Sequence, residues 1–337
     1  MNSCIPDTSY FATPEFLSLV LHCMSVIEIP IHLFAAWIII YYTPSSMASV
    51  KWPLLNLHFW SSFLDISISF LTIPLIIFPA VAGFPLGILG RFPSTVSAQI
   101  HVIVTTIGVV TVSMITVYEN RYFLLSRNQG FWKRVRIIYL IVIYLMAFSF
   151  LLPFTLTMPD QKEAVKKVFE NLPCLPNYVY EGPVFVYMLD PWPCFFTFLV
   201  LLILILIAIV IFTTLTVRNL LGTTFVSTRT LSLQKKFLLG LVIQTTIPLV
   251  VFSPILYLAV SVPQGYYNQA LNNSVIIVFS LHGLVSTIAM LSIHQPYRNA
   301  TLCFLFPCGA RNLSKDTLNN TTTPIRKMTG KLDCVIY

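Results

Sequence analysis

Two carboxylates and several imidazoles fall inside stretches of this sequence that otherwise carry almost no charge. Glu28 and His32 are four residues apart, on one face of a helix, and His58 and Asp65 are seven apart on another. An ionised carboxylate at mid-bilayer costs roughly 2.5 to 3.5 kcal/mol even on the lenient insertion scale, so each acid should face a bundle interior, paired or neutral. Either the acid fixes packing against a neighbouring helix or, for Asp65, it belongs to a buried polar cluster that rearranges on activation. A second constellation is Tyr118-Glu119-Asn120-Arg121-Tyr122, followed by Arg127, Lys133, Arg134 and Arg136. A cation at the mouth of a helix bundle suits the C-terminal carbonyls of a partner helix, and an adjacent acid can hold it in a resting state. No His-Glu-x-x-His or Gly-x-Ser-x-Gly constellation occurs, so no catalytic residue, metal ligand or cofactor is assigned.

The elements that must position these groups are membrane helices. The chain has 337 residues, of which only 9% are charged and 56% hydrophobic, with a mean hydropathy of +0.82. That leaves too little polar surface to cover a soluble globule and excludes a soluble enzyme. The +8 formal charge is scattered in short stretches between apolar runs, so the partner it implies is a lipid bilayer and not a nucleic acid. Seven stretches can cross about 30 Å of hydrocarbon. They are 16–42, 53–82, 95–117, 137–159, 191–217, 237–262 and 272–293, the last two separated by the turn residues Ser261-Val-Pro-Gln-Gly265. Sixteen Lys and Arg fall on the side of the tail and of the first, third and fifth connections, against four (Arg91, Lys162, Lys166 and Lys167) on the other. The bias puts the N-terminus outside. The expected organisation is an all-α seven-transmembrane bundle with an extracellular N-terminus (1–15), the bundle (16–296) and a cytoplasmic tail (297–337) that begins with an interfacial helix. No cleavable signal peptide is expected, since the first apolar run is far too long for one.

Within the third span His101, Thr105, Gly108, Val112 and Thr116 recur at steps of three or four, a weakly polar stripe expected to line the bundle centre. Pro74 and Pro79 in the second span, and Pro248 and Pro254 in the sixth, should bend their helices and open interior space. On facing alone, His101, Thr105, Gln244, Tyr257 and His282 are the candidate small-molecule contacts, each weighed against simple packing. In the long outer loop, 160–172 places Ala164, Val165, Val168, Phe169 and Leu172 on one helical face, and 177–188 reads as a hairpin, together a structured lid. Cys4 and Cys174 would meet oxidising conditions, and a disulfide between them would tie the N-terminus to that loop, although spacing alone does not fix connectivity. Cys303 and Cys308 follow the last span as palmitoylation candidates. The terminal Cys334-Val-Ile-Tyr337 has the outline of a prenylation signal, but its Tyr is outside the usual set.

Seven blocks together resemble the nematode serpentine chemoreceptor class H (Srh) family. They are Leu54-Leu-Asn-Leu-His-Phe-Trp60, Phe70-Leu-Thr-Ile-Pro74, Phe78-Pro-Ala80, Gly83-Phe-Pro-Leu-Gly87, Glu119-Asn-Arg-Tyr122, Leu172-Pro-Cys-Leu-Pro176 and His294-Gln-Pro-Tyr-Arg298, within a match over about 9–300. The resemblance implies a chemosensory G-protein-coupled receptor in the plasma membrane of sensory neurons, in their cilia, that binds a small environmental molecule and activates a heterotrimeric G protein. It implies that Glu119, Arg121 and Tyr122 stand where rhodopsin-like receptors carry Asp/Glu-Arg-Tyr, with Asn120 as an extra residue, and that Pro296 and Tyr297 close the seventh span in place of Asn-Pro-x-x-Tyr. The outer end of the third span lacks Cys, which leaves Cys4 as the alternative partner for Cys174. The competing classes are a ligand-gated seven-helix channel and a transporter; for the latter the sequence shows no internal repeat.

Overall fold

The computed structural model describes residues 9–92, 95–126, 130–172, 174–221, 232, 235, 238–240, 242–243 and 253–306. Among these, six helices are long and apolar enough to cross a membrane: Pro14–Tyr42, Ala48–Thr72, Val96–Leu125, Gly130–Leu156, Phe195–Leu221 and Gln269–Ile293. They are the first to fifth and the seventh of the expected spans. Most of the sixth, 237–262, lies outside the described residues, with Pro248 and Gln244; its described end is the helix Ser253–Gln264. The first span starts cleanly because Thr13 accepts a hydrogen bond from the Phe16 amide at 3.2 Å and Pro14 occupies the first turn. The third span is central, burying Val109, Val110, Val117 and Tyr118. The fourth and fifth expose Ile138, Leu145, Val200 and Ile207, as helices apolar all round do at a lipid boundary.

The second span is shorter than its hydrophobicity suggests. It is α-helical over Ala48–Ile66, widens to a π-helix over Ser67–Thr72 and stops, because Pro74 has no amide proton and disfavours helix in the residue before it. Ile73 takes a left-handed conformation at φ 44°, held by amides from Leu86 and Gly87 that donate to the Ile73 and Thr72 carbonyls at 3.0 and 2.8 Å. Pro74 and Pro79 therefore bend no helix. They belong to strand β1 (Pro74–Ile76) and its turn into β2 (Val81–Pro85). Gly83 is needed where these strands meet, since a Cβ there would run into the Leu75 carbonyl.

A third strand, β3 (Phe185–Met188), joins the other edge of β2, giving an antiparallel order β1-β2-β3 with a bulge at Val81/Ala82. The 177–188 segment is thus no hairpin: 177–180 is a helical turn, and β3 pairs with residues from the far side of the second span. The expected lid helix forms over Gln161–Asn171 and packs Ala164 and Val168 on Ala82 and Val186 of the sheet. Asp160 caps it by accepting from the Lys162 and Glu163 amides at 3.1 and 3.2 Å. Gln161 extends the sheet edge, donating to the Val186 carbonyl at 3.1 Å and accepting from its amide at 2.9 Å.

The seventh span consists of two helices, Gln269–Ser280 and His282–Ile293, separated at Leu281. Its first half draws the lid end together: Gln269 donates to the Ile76 carbonyl at 3.1 Å, Asn272 to Phe78 at 3.2 Å and Asn273 to Phe11 at 2.9 Å. After its second half, Pro296 starts a new helix, Gln295–Leu305, and Phe304 packs on Phe34 and Trp37 of the first span.

Candidate functional site

At the tail end of the bundle the third span continues as helix through Glu119, Asn120, Arg121 and Tyr122 to Leu125. The Glu119 side chain is fully buried, accepts from Trp132 Nε1 at 2.7 Å and pairs with Arg136 Nε at 2.9 Å, both from the fourth span. Asn120 accepts from Arg136 at 3.0 Å and donates to the Ser49 carbonyl at 3.1 Å, which ties in the start of the second span. The Arg136 guanidinium stacks 4.2 Å above the Phe123 ring. The acid that the sequence offered as a lock on Arg121 is therefore held by Arg136 and Trp132, and the extra Asn120 is the second acceptor of that clamp. Arg121 is only 6% exposed and lies beside Tyr297 and His294. Tyr297 is fully buried. The Thr43 hydroxyl gives its one proton to the Ile39 carbonyl at 2.5 Å, so the Tyr297 hydroxyl must donate to Thr43 Oγ1 across 3.0 Å. Tyr122 sits in an aromatic group with Trp132 and Phe212.

Midway along the bundle, Asp65 is fully buried, with His32 Nε2 at 3.2 Å and His282 Nδ1 at 2.9 Å from its two oxygens. The Gly283 amide donates to Oδ1 at 3.2 Å. The break at Leu281 makes this possible, because it turns the N-terminal end of a helix, with unsatisfied amides and a partial positive charge, towards the carboxylate. His58 reaches the His32 carbonyl at 2.9 Å, and Thr287 lies 3.3 and 3.4 Å from the remaining nitrogens of His32 and His58. Glu28 is fully buried and does not use its helix neighbour His32; its Oε2 accepts from Ser69 at 3.0 Å. Three spans are joined here. A separate triangle, missed in the sequence, joins the second, third and fourth: Asn56 donates to Ser113 at 2.9 Å and to Tyr144 at 2.8 Å, and these two hydroxyls are 3.1 Å apart. Among the described residues no group of His, Cys, Asp or Glu is arranged to hold a metal ion.

The candidate ligand contacts do not converge. His101 lies 3.2 Å from Thr155, whose hydroxyl is 3.1 Å from that of Tyr187 on β3, so a polar chain runs from the third span to the lid. Tyr257 donates to Asn272 at 2.9 Å between the sixth and seventh spans, and His282 belongs to the Asp65 cluster. Thr105 is buried with no hydrogen-bond partner among the described residues. The third-span stripe is mainly a packing face: Gly108 abuts Phe150 and Ala147, and Val112 packs with Ala147. Cys174 is disulfide-bonded, while Cys4 lies outside the described residues. Cys303 is also disulfide-bonded, and Cys308 lies outside the described residues.

The family description "Serpentine type 7TM GPCR chemoreceptor Srh" matches residues 12–307. The chain is also 27% identical over 312 residues to serpentine receptor class H-72 of Caenorhabditis elegans, covering 88% of this chain and 87% of that protein. A break in the seventh span that faces a buried acid, and a buried arginine at the end of the third, thus sit in the frame of a multi-pass receptor and not of an enzyme. This chain belongs to the serpentine seven-transmembrane Srh chemoreceptor family.

Proposed function

We propose that this protein is a chemosensory receptor that takes a small environmental molecule into the lid half of its bundle and activates a heterotrimeric G protein at the tail end. The Lys/Arg bias supports an orientation with the lid outside and the tail in the cytoplasm of a sensory cell, in the plasma membrane of its cilia. The observation that carries the reading is Arg121, a guanidinium 6% exposed at the tail end of the central span and within electrostatic reach of Tyr297 in the following helix. A cation at that end of the central span suits the carbonyl end of a partner helix once a change of state turns it outward. The Glu119–Arg136 clamp fixes the third span while Arg121 is withdrawn. On the lid side, the chain from His101 through Thr155 to Tyr187 and the bond from Tyr257 to Asn272 are the contacts a ligand would alter. Only a ligand that binds the two states unequally shifts their populations.

The test is nucleotide exchange on a purified heterotrimer in receptor-bearing membranes, across a panel of small odorants. Wild type should respond to some of the panel, and Arg121→Ala should lose the response at unchanged surface expression. Full signalling by Arg121→Ala would overturn the assignment of that residue. Ligand-evoked current without exchange would make a channel the better reading.

A further inference from the structure

We propose that the Asp65 cluster is a binding site for one exchangeable proton, and that its occupancy sets the balance between the receptor's conformations. The coupling half of this inference rests on the receptor reading; the site itself does not.

The geometry makes the ion pairing conditional. Among the described residues the ion-pair partners of Asp65 are imidazoles alone, His32 at 3.2 Å and His282 at 2.9 Å. An imidazole is a counter-ion only while it holds an extra proton, whereas a buried carboxylate without one is strongly destabilising. The groups facing the site are Glu28 and His32 from the first span, His58 from the second and His282 from the seventh. The third span, which packs on the second, has no ionisable residue between His101 and Tyr118. Among the described residues, two carboxyls and three imidazoles thus make up the ionisable groups of the site, and protons adjust their net charge. Glu28 gives a second, independent indication: its Oε1 is buried with no hydrogen-bond partner among the described residues, a situation suited to a neutral acid. Beside His58 and Thr287 a cavity of about 10 Å³, also lined by Ser61 and Ser286, is about the size of one water.

The protonated cluster joins the first span and the second half of the seventh to the second. Without the proton, Asp65 retains the Gly283 amide but no counter-ion. This arrangement is therefore favoured at low pH and weakened as pH rises and the extra proton is lost. The helix Gln295–Leu305 and Tyr297, beside Arg121, follow directly from that half of the seventh span, so the proton's effect reaches the tail end.

The experiment uses the full chain in lipid nanodiscs, with His32→Gln/His282→Asn as the variant. Gln and Asn carry amide donors where Nε2 of His32 and Nδ1 of His282 now stand, but neither takes up a proton; if the double variant does not fold, His32→Gln and His282→Asn are measured singly, and an unchanged slope in both overturns the site. Wild type should lose roughly 2–4 °C or more of melting temperature between pH 5.5 and 8, and the variant should show a flat profile. A flat wild-type profile, or an unchanged slope in the variant, would overturn the site. Basal nucleotide exchange without any odorant should change about fivefold over the same range in wild type and stay level in the variant. A pH-dependent melting point with pH-independent exchange would overturn the coupling. Absence of exchange at every pH, with and without the odorant panel and with the melting slope intact, would sink the receptor reading and leave the proton site standing.

Discussion

Replacing Arg136 tests the clamp at the tail end most directly. Glu119 is fully buried, and Arg136, with 21% of its side chain exposed, supplies its only charged partner among the described residues. Breaking a buried pair by removing one side costs about 3–5 kcal/mol. Here Trp132 keeps its 2.7 Å bond to Glu119 and Arg136 borders solvent, so Arg136→Ala should cost about 2–3 kcal/mol. At 2–4 °C per kcal/mol this lowers the melting temperature by roughly 4–12 °C. Glu119→Gln removes the charge but keeps an acceptor for Trp132, so the double variant Glu119→Gln/Arg136→Ala should be far better than the sum of the singles, with a coupling of about 1.5 kcal/mol or more. The assay is thermal unfolding of wild type, both singles and the double in nanodiscs at constant salt. An Arg136→Ala protein melting within about 1 °C of wild type, or a cycle additive within about 0.3 kcal/mol, refutes the clamp.

Two further substitutions probe the other joints of the fold. Gly283→Ala would put a methyl group into the Asp65 carboxylate, so it should destabilise the chain by about 2–4 kcal/mol, and wild-type melting would show that the second and seventh spans do not meet as described. Asp160→Ala removes both caps of the lid helix and should cost about 1 kcal/mol. Hydrogen exchange should then speed up in Gln161–Asn171 and not in the third span; a uniform increase would mean the lid does not open by itself.

Much of the architecture was legible in residue order because hydrocarbon tolerates few charges and no unpaired backbone. Charge-free length located the spans, and period-3.6 burial of Ala164 and Val168 located the lid helix. The errors fall where apolar composition is compatible with more than one backbone. Residues 74–85 are as apolar as the helix before them, and only Pro74, together with a partner strand some 100 residues later in the chain, makes them a sheet. For the same reason 185–188 looked like half of a hairpin: period-2 alternation marks a strand without saying what it pairs with.

The sequence by itself determined that this is a multi-pass membrane protein, and that Glu28 and Asp65 must be buried among helices, because charges in hydrocarbon are too costly to leave there; that Arg121, at the mouth of the third span, is also buried was decided by the tertiary structure. The sequence determined the identity of the groups, not their pairing. Partners of a buried charge are set by distances of about 3 Å across helices that are far apart in the chain. Only the tertiary structure could give Glu119 to Arg136, bring His32 and His282 to Asp65, and leave the third-span stripe facing the fourth span, since the rotation of each helix is fixed by all its neighbours at once.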